Sequence, residues 1–240
     1  MLVMCTRSWE GLSVSALAVS ELTALIERKI PGGLTTATAA EEAAQDPATR
    51  PVLPVLDDLA ALLPLGGLPR GSTVAVGGGS TSLLVSLLGA AMARGSWAAV
   101  VGMPDLGVLS AIEMGIVSEH FALVPHPGDQ VAAVAGALLD SFDLVVIATG
   151  LVGTGGAQGQ NLARRLSARA RHRGVVLIPV GDDPWPTADL RIEASDRSWN
   201  GLAYGHGLLL EHTVTATVRG RGSAARPRHA RLVLQTGRRW

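Results

Sequence analysis

The sequence predicts an α/β fold: a mostly parallel sheet with helices on both faces, preceded by an N-terminal helix and linker and closed by a C-terminal antiparallel hairpin. Three observations predict it. Continuous apolar runs, "DLVVIAT" (143–149) and "VVLIPV" (175–180), alternate with helical stretches, as strands buried on both faces do. A β-branched run at 74–76 meets three glycines and then a long apolar helix. The tail segments "LLLEHTVTATVRG" (208–220) and "HARLVLQTG" (229–237) alternate apolar and polar residues like antiparallel strands.

Taken in order, "SELTALIERKI" (20–30) places Leu22, Leu25, Ile26 and Ile30 at helical spacing behind a serine cap, so residues 1–30 hold an N-terminal helix. Residues 31–52 are poor in large apolar side chains and bounded by prolines, the composition of a linker. The core is expected over 53–220. Its elements are a strand at 73–76, a helix at 80–94, a strand at 97–103, a helix at 107–115 and a strand at 120–125. A helix at 129–141 capped by Asp129, a strand at 143–149, a helix at 159–174 and a strand at 175–180 follow. Trp185 and Trp199 fall in polar loops, and 221–240 form a basic hairpin or tail.

Composition narrows the function. Hydrophobic residues make up 48% of the 240, enough for a sizeable core, and aromatics only 3%, so Leu, Val and Ala must build it. A net charge of zero gives no global pull toward nucleic acid or membrane. The single cysteine, Cys5, excludes an intrachain disulfide and a cysteine zinc site, and fits a reducing cytoplasm. No apolar run approaches the length of a membrane span, and the six histidines show no metal spacing, so neither a metal nor a membrane is expected.

The stretch "VAVGGGSTSLL" (74–84) carries the parts of a phosphate-binding loop: strand, glycines, hydroxyls and a helix N-terminus. Gly77, Gly78, Gly79, Ser80, Thr81 and Ser82 form it, with Ser80 where a lysine would reach the phosphates. The one lysine, Lys29, lies far upstream. The apolar strand 143–149 ends at Ala148, where an acid would orient magnesium. Loss of both charged parts argues against phosphoryl transfer, which rests on positioning and charge stabilisation. Weak anion binding by the backbone and a tight turn needing glycine for its own geometry are the two readings that remain.

With these residues in view, "GGLPRGSTVAVGG" (66–78) and the helix behind it resemble the RecA recombinase core. By that resemblance "WAAVVGMPD" (97–105) is the next core strand, with Pro104 at the catalytic glutamate position and Asp105 one residue late. "GLVGTGGAQGQ" (150–160) stands where that family has a DNA-binding loop, and Gly181 or Asp182 stands at its phosphate sensor. The chain is most similar to the ImuA group of mutasome accessory proteins, in their short actinobacterial form. The resemblance implies a RecA-like pseudo-ATPase without cofactor, acting in SOS-induced translesion synthesis. Its implied partners are an ImuB-like protein, an error-prone polymerase, DNA and a second copy of itself. Two alternatives stand beside it: a RecA-family ATPase with an unorthodox site using Thr81 and Asp105, and a SulA-like division inhibitor that binds FtsZ.

Two arginine clusters are the candidate contacts for DNA or a partner. Arg164, Arg165 and Arg169 lie on one helix in a stretch free of acids from 144 to 181. Arg219, Arg221, Arg226 and Arg228 lead into the tail that ends in Trp240, arginine and tryptophan being favoured hot-spot residues. A solvated helix face and a frayed basic terminus are the structural readings of the same residues.

Overall fold

The structure, a computed structural model, describes residues 51–203, 206–221 and 224–234, together with Leu2–Val3 and Ala24. The helix expected within 1–30, nearly all of the 31–52 linker, and Trp240 lie outside the described residues.

In chain order the elements are β1 (Leu2–Val3), β2 (Val52–Leu53), α1 (Asp57–Ala60), β3 (Leu68–Pro69), β4 (Val74–Gly77), α2 (Thr81–Ala93), β5 (Ala98–Val101) and α3 (Val108–Glu113). Then come β6 (Phe121–Val124), α4 (Val131–Leu139), β7 (Leu144–Ala148), α5 (Thr149–Val152), α6 (Ala157–Arg173), β8 (Val176–Val180), β9 (Leu190–Ala203), β10 (His206–Gly220) and β11 (Arg228–Leu234). The main sheet runs β1-β6-β5-β7-β8-β4-β9-β10-β11, parallel through β9 and antiparallel from β9 to β11. No helix among the described residues is long and apolar enough to cross a membrane.

The parallel strands are apolar throughout because both of their faces are covered. Val74, Val76, Val100, Val146 and Ile178 face one side, packing with Leu83, Leu84, Leu87 and Leu88 of α2. Ala75, Val101, Val145, Ile147 and Leu177 face the other, against Val134 and Leu138 of α4 and Ala163, Leu166 and Ala170 of α6. Alternate residues of one strand thus feed two cores, as the pleat requires. Each fully buried leucine contributes roughly 1.5–3 kcal/mol by leaving water, so the two layers hold the sheet without a large aromatic share.

The N-terminal edge of the strands is held by charge. Asp143, just ahead of β7 and 4% exposed, accepts from Arg70 Nη2 at 2.8 Å and from the Trp97 backbone N–H at 2.9 Å. This carboxylate is at the opposite end of β7 from Ala148, as the sequence implies.

Three local expectations change. Asp129 lies in a 3-10 turn, Gly128–Gln130, and the helix behind it starts at Val131 without a side-chain cap. The glycine-rich 150–160 stretch is short-circuited by helix: α5 ends at left-handed Gly153 (φ 63°), and α6 begins four residues later at Ala157. Gly159 in the first turn of α6 packs directly on the Val152 and Gly153 carbonyls, where a side chain would collide. The largest change is β9. The polar run 190–203 is a 14-residue strand, with Trp199 in it and not in a loop. It pairs in parallel with β4 on one side and antiparallel with β10 on the other.

Candidate functional site

In open parallel sheets ligands sit beyond the carboxyl ends of the strands, and the glycine loop, Ala148 and Asp182 all gather there. β4 lies between β8 and β9, and β8 lies beside β7, so the ends of β4, β8 and β7 are neighbours. The structure therefore brings together the loop and the strand-end positions that the sequence singles out.

The loop's own polar groups are spent on folding. Gly78 (φ 74°) and Gly79 (φ 58°) are left-handed, and any side chain at Gly78 would run into the Ala194 carbonyl oxygen of β9. Ser80, 6% exposed, is the N-cap of α2: its Oγ accepts the Leu83 backbone N–H at 3.2 Å. A hydroxyl turned inward as a cap replaces the charge a lysine would present. Asp182 Oδ1 accepts the Gly78 backbone N–H at 3.3 Å, so a carboxylate takes an amide that a phosphate would use. Beside Gly77, Glu193 on β9 binds Arg191 at 2.7 Å and Arg219 at 2.8 Å. The hydrogen bond from Arg191, with both nearby charges, holds the Glu193 carboxyl below its usual range. Ala148 ends β7 without an acid, and Thr149 Oγ1 presses on Gly181 so closely that no side chain fits there.

Next to the loop lies a groove of about 310 Å³ between α2, α3 and the antiparallel strands. Thr81, Ser82 and Asp105 line it with Trp199, His212 and Leu234. Trp199, half exposed, stacks flat on His212 (centroids 3.6 Å apart, 6° between planes), its direct cross-strand neighbour. His212 is 6% exposed, and neither ring nitrogen has a hydrogen-bond partner. Burial, helped by the charge of Arg197, pushes its pKa down from 6.5. The stack is invisible in the sequence, because it exists only once the β9–β10 register sets Trp199 opposite His212.

The arginine clusters resolve unevenly. On α6, Arg169 and Arg173 both bind Asp140 at the end of α4, the latter at 2.9 Å, and Arg171 binds Asp189 at 3.5 Å. The Asp140 hydrogen bond raises the Arg169 pKa above 12.5. Arg164 reaches only Asn161, at 3.0 Å, and Arg165 is exposed. Near the tail, Arg219 is tied to Glu193 and Arg221 donates to the Pro186 carbonyl at 3.5 Å. Arg226 and Arg228 are exposed and make no ion pair among the described residues. Trp185 is 5% exposed and donates to Ser167 Oγ at 2.9 Å, which makes it a packing anchor. Among the described residues no group of three or more His, Cys, Asp or Glu is placed to hold a metal ion.

Residues 61–187 match the family described as the MT3502 N-terminal domain. This span holds the glycine loop, all of β4 to β8 and the basic helix α6. The chain is also similar to the uncharacterized protein Rv3395c of Mycobacterium tuberculosis (strain ATCC 25618 / H37Rv), 41% identical over 135 residues. That match covers 55% of this chain and 63% of the relative, so the chain spans less than two thirds of the relative's length.

Proposed function

The chain belongs to the MT3502 N-terminal domain family, and we propose that it works as a non-catalytic, RecA-like accessory protein of DNA-damage tolerance. In this reading it joins an ImuB-like protein and an error-prone polymerase, contacts DNA as a further ligand, and uses no cofactor. The observation that carries it is the glycine loop. Ser80 caps a helix where a lysine would stand, Asp182 occupies the Gly78 amide, and Ala148 replaces the acid. A scaffold with the site's shape and none of its charges suits assembly better than phosphoryl transfer.

The ATPase alternative has one observation of its own: Thr81 and Asp105 line the same groove, so a hydroxyl and a carboxylate do face one space. Among the described residues no positive side chain lines that space with them, and an anion there would meet Asp105 unneutralised. No structural feature favours the division-inhibitor alternative.

Partner binding is testable at the basic tail. Removing everything after Gly220 is unsuitable, since β11 pairs with β10 from Arg228 to Leu234 and buries Leu232 and Leu234. Substituting Arg226, Arg228 and Trp240 by Ala leaves those contacts in place. Affinity for a purified ImuB-like partner is expected to fall at least tenfold, with weak salt dependence, as for hot-spot residues. Unchanged affinity removes the tail from the interface. A loss confined to single-stranded DNA, with log affinity falling steeply against log salt, moves the tail to nucleic acid.

A further inference from the structure

The groove beside the loop is chemically incomplete. Asp105 is exposed and has no cationic partner among the described residues, and Trp199 leaves half of its indole open. Under it His212 is buried without a hydrogen-bond partner, and Val85, Ala111 and Met114 make an apolar floor. The wall closes on Leu234, which pairs directly with His212. The next residues of the sequence, 235–240, are Gln-Thr-Gly-Arg-Arg-Trp. They carry what the groove lacks, two cations for Asp105 and an indole for Trp199. The segment starts at the groove wall and can extend about 20 Å at 3.3–3.6 Å per residue, further than it needs.

We propose that residues 238–240 of the same chain seat in this groove, the arginines on Asp105 and Trp240 on the apolar floor beside Trp199. A tether of a few residues gives the segment an effective concentration in the millimolar range, which favours its own groove over a second copy's. A seated tail covers Thr81 and the exposed face of Trp199, so it closes the space in front of the glycine loop. A partner that grips the tail must first lift it out. Seating of the tail is a property of the isolated protein and stands apart from the mutasome reading.

The test is an amide and indole NMR spectrum of the full-length protein. Trp240→Ala, and separately Arg238→Ala with Arg239→Ala, are expected to shift the Trp199 indole N–H and the Thr81, Asp105 and Ser110 amides. The Leu162 amide on α6 should stay put. Asp105→Asn, an exposed change that the fold tolerates, is expected to move the Trp240 indole signal in return. Groove signals indifferent to all three variants overturn the proposal. Shifts that fade on tenfold dilution overturn it too, since they assign the segment to a second copy's groove.

Discussion

His212 is a neutral imidazole kept dry by the indole of Trp199, and this makes it a pH liability. Its pKa in the folded chain lies below 6.5, with burial the main cause and Arg197 the second. Between that lowered value and 6.5 the unfolded chain binds the proton and the folded chain does not. Stability therefore rises with pH across this window, and falls as pH drops below about 6.5. The limiting slope is about 1.4 kcal/mol per pH unit for one group. Arg197, Arg231, which donates to the neighbouring Thr213 hydroxyl, and Asp105 across the groove are the charged groups around it. Urea unfolding at pH 7.5 and 5.5 should show the loss in the native chain and a smaller loss in His212→Phe, which keeps the ring stack. Equal losses in both would assign the pH dependence elsewhere.

At the scale of elements, the strand–loop–helix unit β4–α2 separates geometry from chemistry. Gly78→Ala must place a methyl group on the Ala194 carbonyl and hold a left-handed φ, so the loop and the β4–β9 seam cannot both persist. A loss of about 3 kcal/mol or more is expected in thermal or urea unfolding. Ser80→Ala removes only the α2 cap and should cost about 1 kcal/mol. A Gly78→Ala chain as stable as the Ser80→Ala chain contradicts this explanation of the turn.

The same scale shows what the sequence discloses. Strands buried on two faces announce themselves as apolar runs, and β4, β5, β7 and β8 fall within the expected segments. β9 hides because its residues alternate around charge, "RIEASDRSWNG", and its parallel partner β4 is far upstream, Val74 pairing with Leu190. Its partners, not its composition, make it a strand. The arginines of α6 read as an open basic face because no acid lies near them in sequence. Asp140, reached across the α4–α6 packing, neutralises two of them. The glycine loop is legible as a loop, while the carboxylate at its Gly78 amide is not, because Asp182 arrives from the far end of β8.

For the whole molecule, the family match ends at 187, just before the antiparallel strands begin at Leu190. Those strands complete the side of the glycine loop, through Ala194 and Glu193, and build half of the groove, through Trp199 and His212. The part outside the match thus decides what can reach the loop. On the proposed function that surface serves recognition, and the loop is a turn that keeps the shape of a nucleotide site without its charges. Magnesium-dependent ATP turnover by the purified full-length chain, with and without single-stranded DNA, tests this most directly. Phosphate release at background is predicted in both conditions. Turnover above background that disappears in Thr81→Ala would contradict it.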